Sequence, residues 1–202
     1  MIKLVIFDMD GVLVDACEWH RIALNEALKE VCNYEISLEE HYKTFNGIPT
    51  KVKLQKLSEM NIVEKKLFEK IENIKQEKTI EAIQKYAFPR EEKISLMKFL
   101  KEKNIKIACC TNSIKKTTNL MLKKTGIFNY IDLIITNQDV KNPKPDPEGY
   151  ELCMKIMNIC KENCIIIEDS PKGIEAAIKS GAKVIKVNNV EQVDINLLKE
   201  ML

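Results

Sequence analysis

Lys3-Leu4-Val5-Ile6-Phe7 runs directly into Asp8-Met9-Asp10-Gly11, so a short apolar segment rich in β-branched residues delivers two carboxylates into a turn. A run of this kind predicts a parallel-sheet strand whose carboxyl end opens at the surface, where α/β folds place their ligands. Acids at i and i+2 would face opposite sides if the strand continued, but Gly11 lets the chain bend and turn both towards one pocket. Such a pair resists double ionisation. A divalent cation relieves the repulsion, and a hard oxygen site suits Mg²⁺, which also contacts phosphate oxygens. Taken alone, the same four residues also fit an ordinary turn with solvated carboxylates.

The rest of the chain decides between these readings. Its 202 residues, 45% hydrophobic and 31% charged, suffice for one good core and a smaller appendage. A net charge of +2, from 32 basic and 30 acidic side chains, gives no support for a nucleic-acid or membrane partner. No apolar stretch approaches a membrane span, and Asp8 breaks the opening run too early for a signal peptide, so a cytoplasmic protein is expected. The seven cysteines are odd in number and scattered through apolar segments, as reduced core thiols are. Zinc has no support, with no C-x-x-C and only His20 and His41 available. Cys17, close to the acidic turn, reads as a packing residue rather than a reactive thiol.

After Asp15 the pattern turns helical, with Ile22, Leu24, Ala27, Leu28 and Val31 at helix spacing, and further helices are predicted over 50–60 and 64–86. From Pro89 onwards helices and strands alternate, which is the signature of a layered α/β domain. Strands are predicted at 105–111, 131–136, 164–168 and 183–187, and helices at 91–103, 115–124, 147–158 and 173–179. The expectation is an α/β, Rossmann-like three-layer core with a parallel sheet, formed by residues 1–14 and 88–202. Residues 15–87 form an inserted all-helical cap.

Three later strand ends add polar groups. Thr111-Asn112-Ser113 leads into a helix, so its hydroxyl and backbone N–H groups fit either an anion cradle or a plain N-cap. Lys144 sits among Pro143, Pro145 and Pro147, which restrict where a point charge can wander. Ile165-Ile166-Ile167 ends in Glu168-Asp169-Ser170-Pro171. Ser170 and Pro171 read as N-cap and first helical residue, which leaves two adjacent acids that a helix start does not require. Asp169 is the second candidate metal ligand; Glu168 is a further ligand or an acceptor behind one.

Phe7-Asp8-Met9-Asp10-Gly11-Val12-Leu13-Val14-Asp15, Thr111-Asn112, Lys144-Pro145 and Glu168-Asp169-Ser170, in this order, resemble the four motifs of the haloacid dehalogenase superfamily of phosphotransferases. The likeness is to the helical-cap branch that includes β-phosphoglucomutase and many small-molecule phosphatases. It implies that Asp8 attacks phosphorus to form an aspartyl phosphate, while Asp10 protonates the leaving oxygen and then activates water. It further implies Mg²⁺ held by the Asp8 carboxylate, the Asp10 backbone carbonyl and Asp169, with Glu168 beside them. Thr111, Asn112 and Lys144 would bind the transferring group. Asp10 argues against the dehalogenase and phosphonatase relatives, which lack a carboxylate there; a phosphonatase would also need a cap lysine such as Lys51 or Lys53 to form an imine.

Mutases of the branch carry a cap arginine shortly after a glycine. Here the stretch is Asn46-Gly47-Ile48-Pro49-Thr50-Lys51, and Lys51 or Lys75 lacks the bidentate fork of an arginine. The expected activity is therefore hydrolysis of a small-molecule phosphate ester, with a β-phosphoglucomutase-like mutase and a catalytically inactive phospho-ligand-binding module as alternatives. His20 and Lys51 are candidate substrate contacts, and Glu18 and Trp19 lie beside them at the cap entrance. A monomer or weak dimer is expected.

Overall fold

The structure, a computed structural model, describes all residues from Met1 to Leu202. The chain divides into two compact units, Met1–Asp15 with Ala87–Leu202, and Ala16–Tyr86. Asp15 and Ala87, assigned to the insert by the sequence, fall in the first unit. There the Met9 carbonyl gathers the N–H groups of Leu13 and Val14, which keeps the opening turn closed almost to Asp15.

The first unit is an all-parallel five-stranded sheet formed by β1 (Leu4–Phe7), β2 (Lys106–Cys110), β3 (Leu133–Ile135), β4 (Cys164–Glu168) and β5 (Lys183–Lys186), in the order β3-β2-β1-β4-β5. The first strand lies at the centre although a long insert separates it from its neighbours. Every residue of β1 is fully buried, as is the Ile165–Ile167 run of β4, as expected for strands covered on both faces. Burying each such side chain contributes about 1.5–3 kcal/mol, so the polar strand ends ride on a rigid support. Phe7 is in register with Cys109 on one side and Ile167 on the other, which brings Asp8, Cys110 and Glu168 level at the carboxyl edge. Strand order reverses between β1 and β4, the position at which open α/β sheets form a ligand crevice.

The insert carries α1 (Cys17–Cys32), a short α2 (Leu38–Glu40) continued by a π turn over His41–Phe45, α3 (Thr50–Glu59) and α4 (Phe68–Tyr86). The α2 and π-turn segment carries no periodic apolar stripe, and sequence periodicity misses it. Leu24, Ala27, Leu28, Phe45, Leu54, Leu57 and Ile71 form its core, whereas Ile22 and Val52, expected on the apolar faces, are exposed. Asn25 is buried at its centre, its Nδ2 donating to the Ile36 carbonyl at 2.9 Å and its Oδ1 accepting from the Ile36 N–H at 3.1 Å. Asn25→Ala strands both backbone groups and is expected to cost about 2–4 kcal/mol. Faster hydrogen exchange at the Ile36 amide and a lower urea midpoint would show it; unchanged exchange would contradict it.

After the insert come α5 (Glu91–Glu102), α6 (Lys115–Lys124), α7 (Glu148–Met157), α8 (Pro171–Ser180) and α9 (Ile195–Leu198). Ser170 caps α8 by accepting the Gly173 N–H at 3.1 Å, with Pro171 at the first helical position. The unpredicted α9 segment is tied down by buried Lys93 of α5, whose Nζ donates to the carbonyls of Val190 and Val193 at 2.5 and 2.6 Å.

Candidate active site

Asp8 leaves the centre of the sheet with its N–H donating to the Ile167 carbonyl at 3.0 Å, so its backbone is still part of the ladder. Its side chain is buried, and Lys144 Nζ donates to its Oδ1 at 2.6 Å. The same ammonium donates to Glu168 Oε1 at 2.7 Å and to the Cys110 carbonyl at 2.8 Å. All three donors of the lysine are thus used. The three prolines around Lys144 are only part of what fixes it: the charge itself is pinned by two carboxylates and a carbonyl.

Glu168 is fully buried and receives donors at both oxygens. Oε1 accepts from Lys144 and from the Tyr150 hydroxyl at 2.8 Å. Oε2 accepts from the N–H groups of Asp169 and Ser170 at 2.9 and 3.1 Å and from the Ser170 hydroxyl at 3.2 Å. Gly173 makes room for this carboxylate, since a Cβ there would lie 1.7 Å from Oε1. Asp169 is half-buried beside Gly11, where a Cβ would lie 2.1 Å from its Oδ2. Gly11 also has φ +93°, so both the turn and the close approach require glycine.

Asp10 is half-buried, and its Oδ2 accepts from the Ser113 hydroxyl at 2.8 Å. Thr111 is buried just past β2, and its Oγ1 accepts from the Ser113 N–H at 3.0 Å. The Thr111-Asn112-Ser113 stretch is not the cap of α6, because Ile114 occupies that position. Asn112 closes a two-point clamp on the neighbouring loop: its Nδ2 donates to the Lys144 carbonyl at 3.2 Å, and its Oδ1 accepts the Lys144 N–H at 3.1 Å.

Four acids therefore lie in one cluster with a single lysine, which donates to two of them, Asp8 and Glu168. Burial pulls the Lys144 ammonium towards neutrality, but Asp8 and Glu168 outweigh it and hold its pKa well above the ordinary lysine value. Burial pushes Asp8 well up, against the pull of Lys144. Asp169 is pushed up to about 7, first by burial and then by Glu168. Oxygens of Asp8, Glu168 and Asp169 lie within 4.8 Å of one another, and Asp169 Oδ1 is buried without a hydrogen-bond partner. An excess of closely set hard oxygens, one of them unsatisfied, fits a small divalent cation.

Residues 5–187 match the family profile of haloacid dehalogenase-like hydrolases. The chain belongs to that family. This hydrolase is 30% identical over 186 residues to a phosphorylated carbohydrates phosphatase of Thermotoga maritima, covering 90% of the chain and 82% of that protein. It is 28% identical to the fructose-1-phosphate phosphatase YqaB of Escherichia coli, covering 91% of the chain and 95% of the relative. Among solved structures, β-phosphoglucomutase of Clostridium difficile superposes with a TM-score of 0.84 at 25% identity, covering 99% of this chain and 96% of the other.

Of the residues singled out in the sequence of this hydrolase, Asp8, Asp10, Thr111, Asn112, Lys144, Glu168 and Asp169 lie together in the first unit. His20 and Lys51 belong to the second. His20 Nδ1 lies 3.1 Å from Nζ of the buried Lys75, while Lys51 is exposed on α3. Two polar partners escaped the sequence reading. Ser113 lies in a stretch that fits either an anion cradle or an N-cap, and Tyr150 ends the Lys144-to-Tyr150 run, which resembles that of sugar- and polyol-phosphate phosphatases but gives the tyrosine no role of its own; the first turn of α7 returns it to the site. No disulfide links any of the seven cysteines, and no helix is long and apolar enough to cross a membrane.

Proposed function

We propose that this hydrolase is a Mg²⁺-dependent phosphatase acting on a small phosphorylated metabolite, a sugar, polyol or amino-alcohol phosphate, through an aspartyl phosphate on Asp8. The observation that carries the reading is the Asp8 carboxylate, projected from the central strand and held by Lys144, with Asp10 two residues on and Asp169 opposite. An Asp8 oxygen forms a bond to phosphorus as the bond to the ester oxygen breaks, and Asp10 gives that oxygen its proton. Asp10, oriented by Ser113, then takes a proton from water as the water attacks phosphorus, and the bond to Asp8 breaks. Lys144, with Thr111 and the backbone N–H groups following it, meets the charge on the transferring oxygens. Asp8, Asp169 and the Asp10 carbonyl would hold Mg²⁺, which when bound supplies positive charge that lets an anionic nucleophile approach an anionic ester. Glu168, already given five donors, serves as the acceptor that fixes Lys144 and the Asp169 backbone.

The two phosphatase relatives and the lack of an arginine in Asn46–Lys51 favour hydrolysis over isomerisation. The likeness to β-phosphoglucomutase keeps a mutase as the second reading. Phosphate release from p-nitrophenyl phosphate and a panel of phosphorylated metabolites tests the proposal, with loss expected in Asp10→Asn. Isomer formation from a hexose 1-phosphate without free phosphate would favour the mutase. Inertness towards every ester would favour a binding module. The expected setting is a cytoplasmic monomer or weak dimer.

Metal binding has its own signature in stability. A carboxyl whose pKa is raised in the folded state holds a proton that the unfolded chain has released. Its contribution is therefore complete below the ordinary carboxylate range and is lost as pH rises through about 7 for Asp169. Mg²⁺ displaces that proton, so its gain in melting temperature is expected to be larger at about pH 8 than at about pH 5. Asp169→Asn should abolish most of the gain. An equal gain at both pH values, or one that survives in Asp169→Asn, would contradict the assignment.

A further inference from the structure

Tyr150 is a fully buried side chain on α7 that touches the Lys144 centre in two ways. Its hydroxyl donates to Glu168 Oε1 at 2.8 Å, the same oxygen that accepts Lys144. Its ring centroid lies 4.7 Å from Lys144 Nζ, within the range at which an aromatic face attracts an ammonium. It belongs to the same buried core cluster as Ile135, Cys153, Met154, Ile166 and Ala177, so the ring is part of the core. A purely packing role needs the ring alone; the hydroxyl serves nothing in the core except that carboxylate.

We propose that Tyr150 is a positioning residue for Lys144, its ring and hydroxyl keeping the ammonium shared between Asp8 and Glu168 and so available to phosphoryl oxygens. The inference rests on the phosphatase reading above. When an Asp8 oxygen becomes bonded to phosphorus, the carboxylate charge leaves with the ester oxygen and ends on Asp10, which gives that oxygen its proton, so Lys144 loses Asp8 as a charged partner and must turn to the phosphoryl oxygens while still anchored by Glu168 and the Cys110 carbonyl. The Tyr150 hydroxyl draws off part of the negative charge on Oε1. Without it, that oxygen is left with Lys144 alone, binds the ammonium more tightly and withholds it from the reacting group.

The test is a double-mutant cycle in the full chain. In Tyr150→Phe, kcat for p-nitrophenyl phosphate is expected to fall about tenfold with KM within about twofold, because the lost interaction acts on the transferring group. Orthovanadate, which copies five-coordinate phosphorus, should bind about tenfold more weakly. In a Lys144→Ala background the same substitution should change vanadate binding by less than about twofold, since the group it positions is gone. Incorporating 4-aminophenylalanine at residue 150, whose N–H can donate to Glu168, should restore the rate. Full recurrence of the loss in the Lys144→Ala background, or wild-type kcat in Tyr150→Phe, would overturn the proposal.

One measurement needs no change in the core and no turnover. In the unliganded wild type, Lys144 should give a slowly exchanging, ring-current-shifted side-chain ¹⁵N–¹H resonance, identified by its absence in Lys144→Arg. A Lys144 ammonium in fast exchange and unshifted would overturn the proposal even if Tyr150→Phe failed to fold. An inert wild type that still showed the shifted resonance would instead count against the phosphatase reading alone.

Discussion

Asp8→Asn is expected to lower kcat on the order of 10⁴-fold or more, the scale seen when a nucleophile is removed from a catalytic unit that works as a whole. The substitution is isosteric, and the amide oxygen can still accept from Lys144, so the fold should persist. The charge balance makes the companion result equally specific. Asp8 is one of four acids around a single lysine, and burial already pushes its pKa well up. Without Mg²⁺, removing that negative charge should leave the thermal midpoint unchanged or higher. Phosphate release and a circular dichroism melt on the same preparation check both halves. A variant that is stable and retains more than about a hundredth of the wild-type rate would remove Asp8 from the role of nucleophile.

Gly173→Ala should be the most damaging small substitution in the α8 turn. Its methyl group would lie 1.7 Å from Glu168 Oε1 and 2.0 Å from Cδ, which no rotamer adjustment of alanine relieves. Glu168 cannot step aside without abandoning Lys144, Tyr150, the Asp169 and Ser170 N–H groups and the Ser170 hydroxyl. Breaking a buried ion pair in this way costs about 3–5 kcal/mol. For a chain of this length that corresponds to a fall of about 10 °C in melting temperature. Activity should be lost in parallel, because the anchor of Lys144 is lost. A melting temperature within about 2 °C of wild type would show that the Glu168 network contributes little.

The sequence disclosed the fold where burial is total and local. β1 and β4 are apolar runs with no polar break, so their existence, parallel setting and acidic ends were legible; β4 was predicted over 164–168 and forms over Cys164–Glu168. Strand β3 is shorter than predicted because Phe128–Tyr130 coils into a 3₁₀ turn and the Asp132 carboxylate accepts the Ile107 N–H at 2.8 Å. The predicted 64–86 helix begins later, since Lys65–Leu67 also forms a 3₁₀ turn. Neither turn leaves a periodic apolar trace. In the site, the charged residues stood out because acids at the end of an apolar strand need an explanation. Ser113 and Tyr150 did not, since a hydroxyl near a helix start and a tyrosine within an amphipathic helix each have an ordinary structural explanation. What identifies them is the distance to Asp10 and to Glu168, which depends on how β1 meets β2 and how β4 meets α7.

The claim that phosphorus is transferred to Asp8 can be tested by rapid acid quench of the Asp10→Asn variant with radiolabelled p-nitrophenyl phosphate, whose phenolate leaves without the proton that Asp10 supplies. Asp10→Asn is chosen because it should slow hydrolysis of the intermediate. The account predicts a single labelled peptide, the one containing Asp8, with the label released by hydroxylamine as from an acyl phosphate. Product formation with Asp8 unmodified, or label carried by another residue, would contradict it.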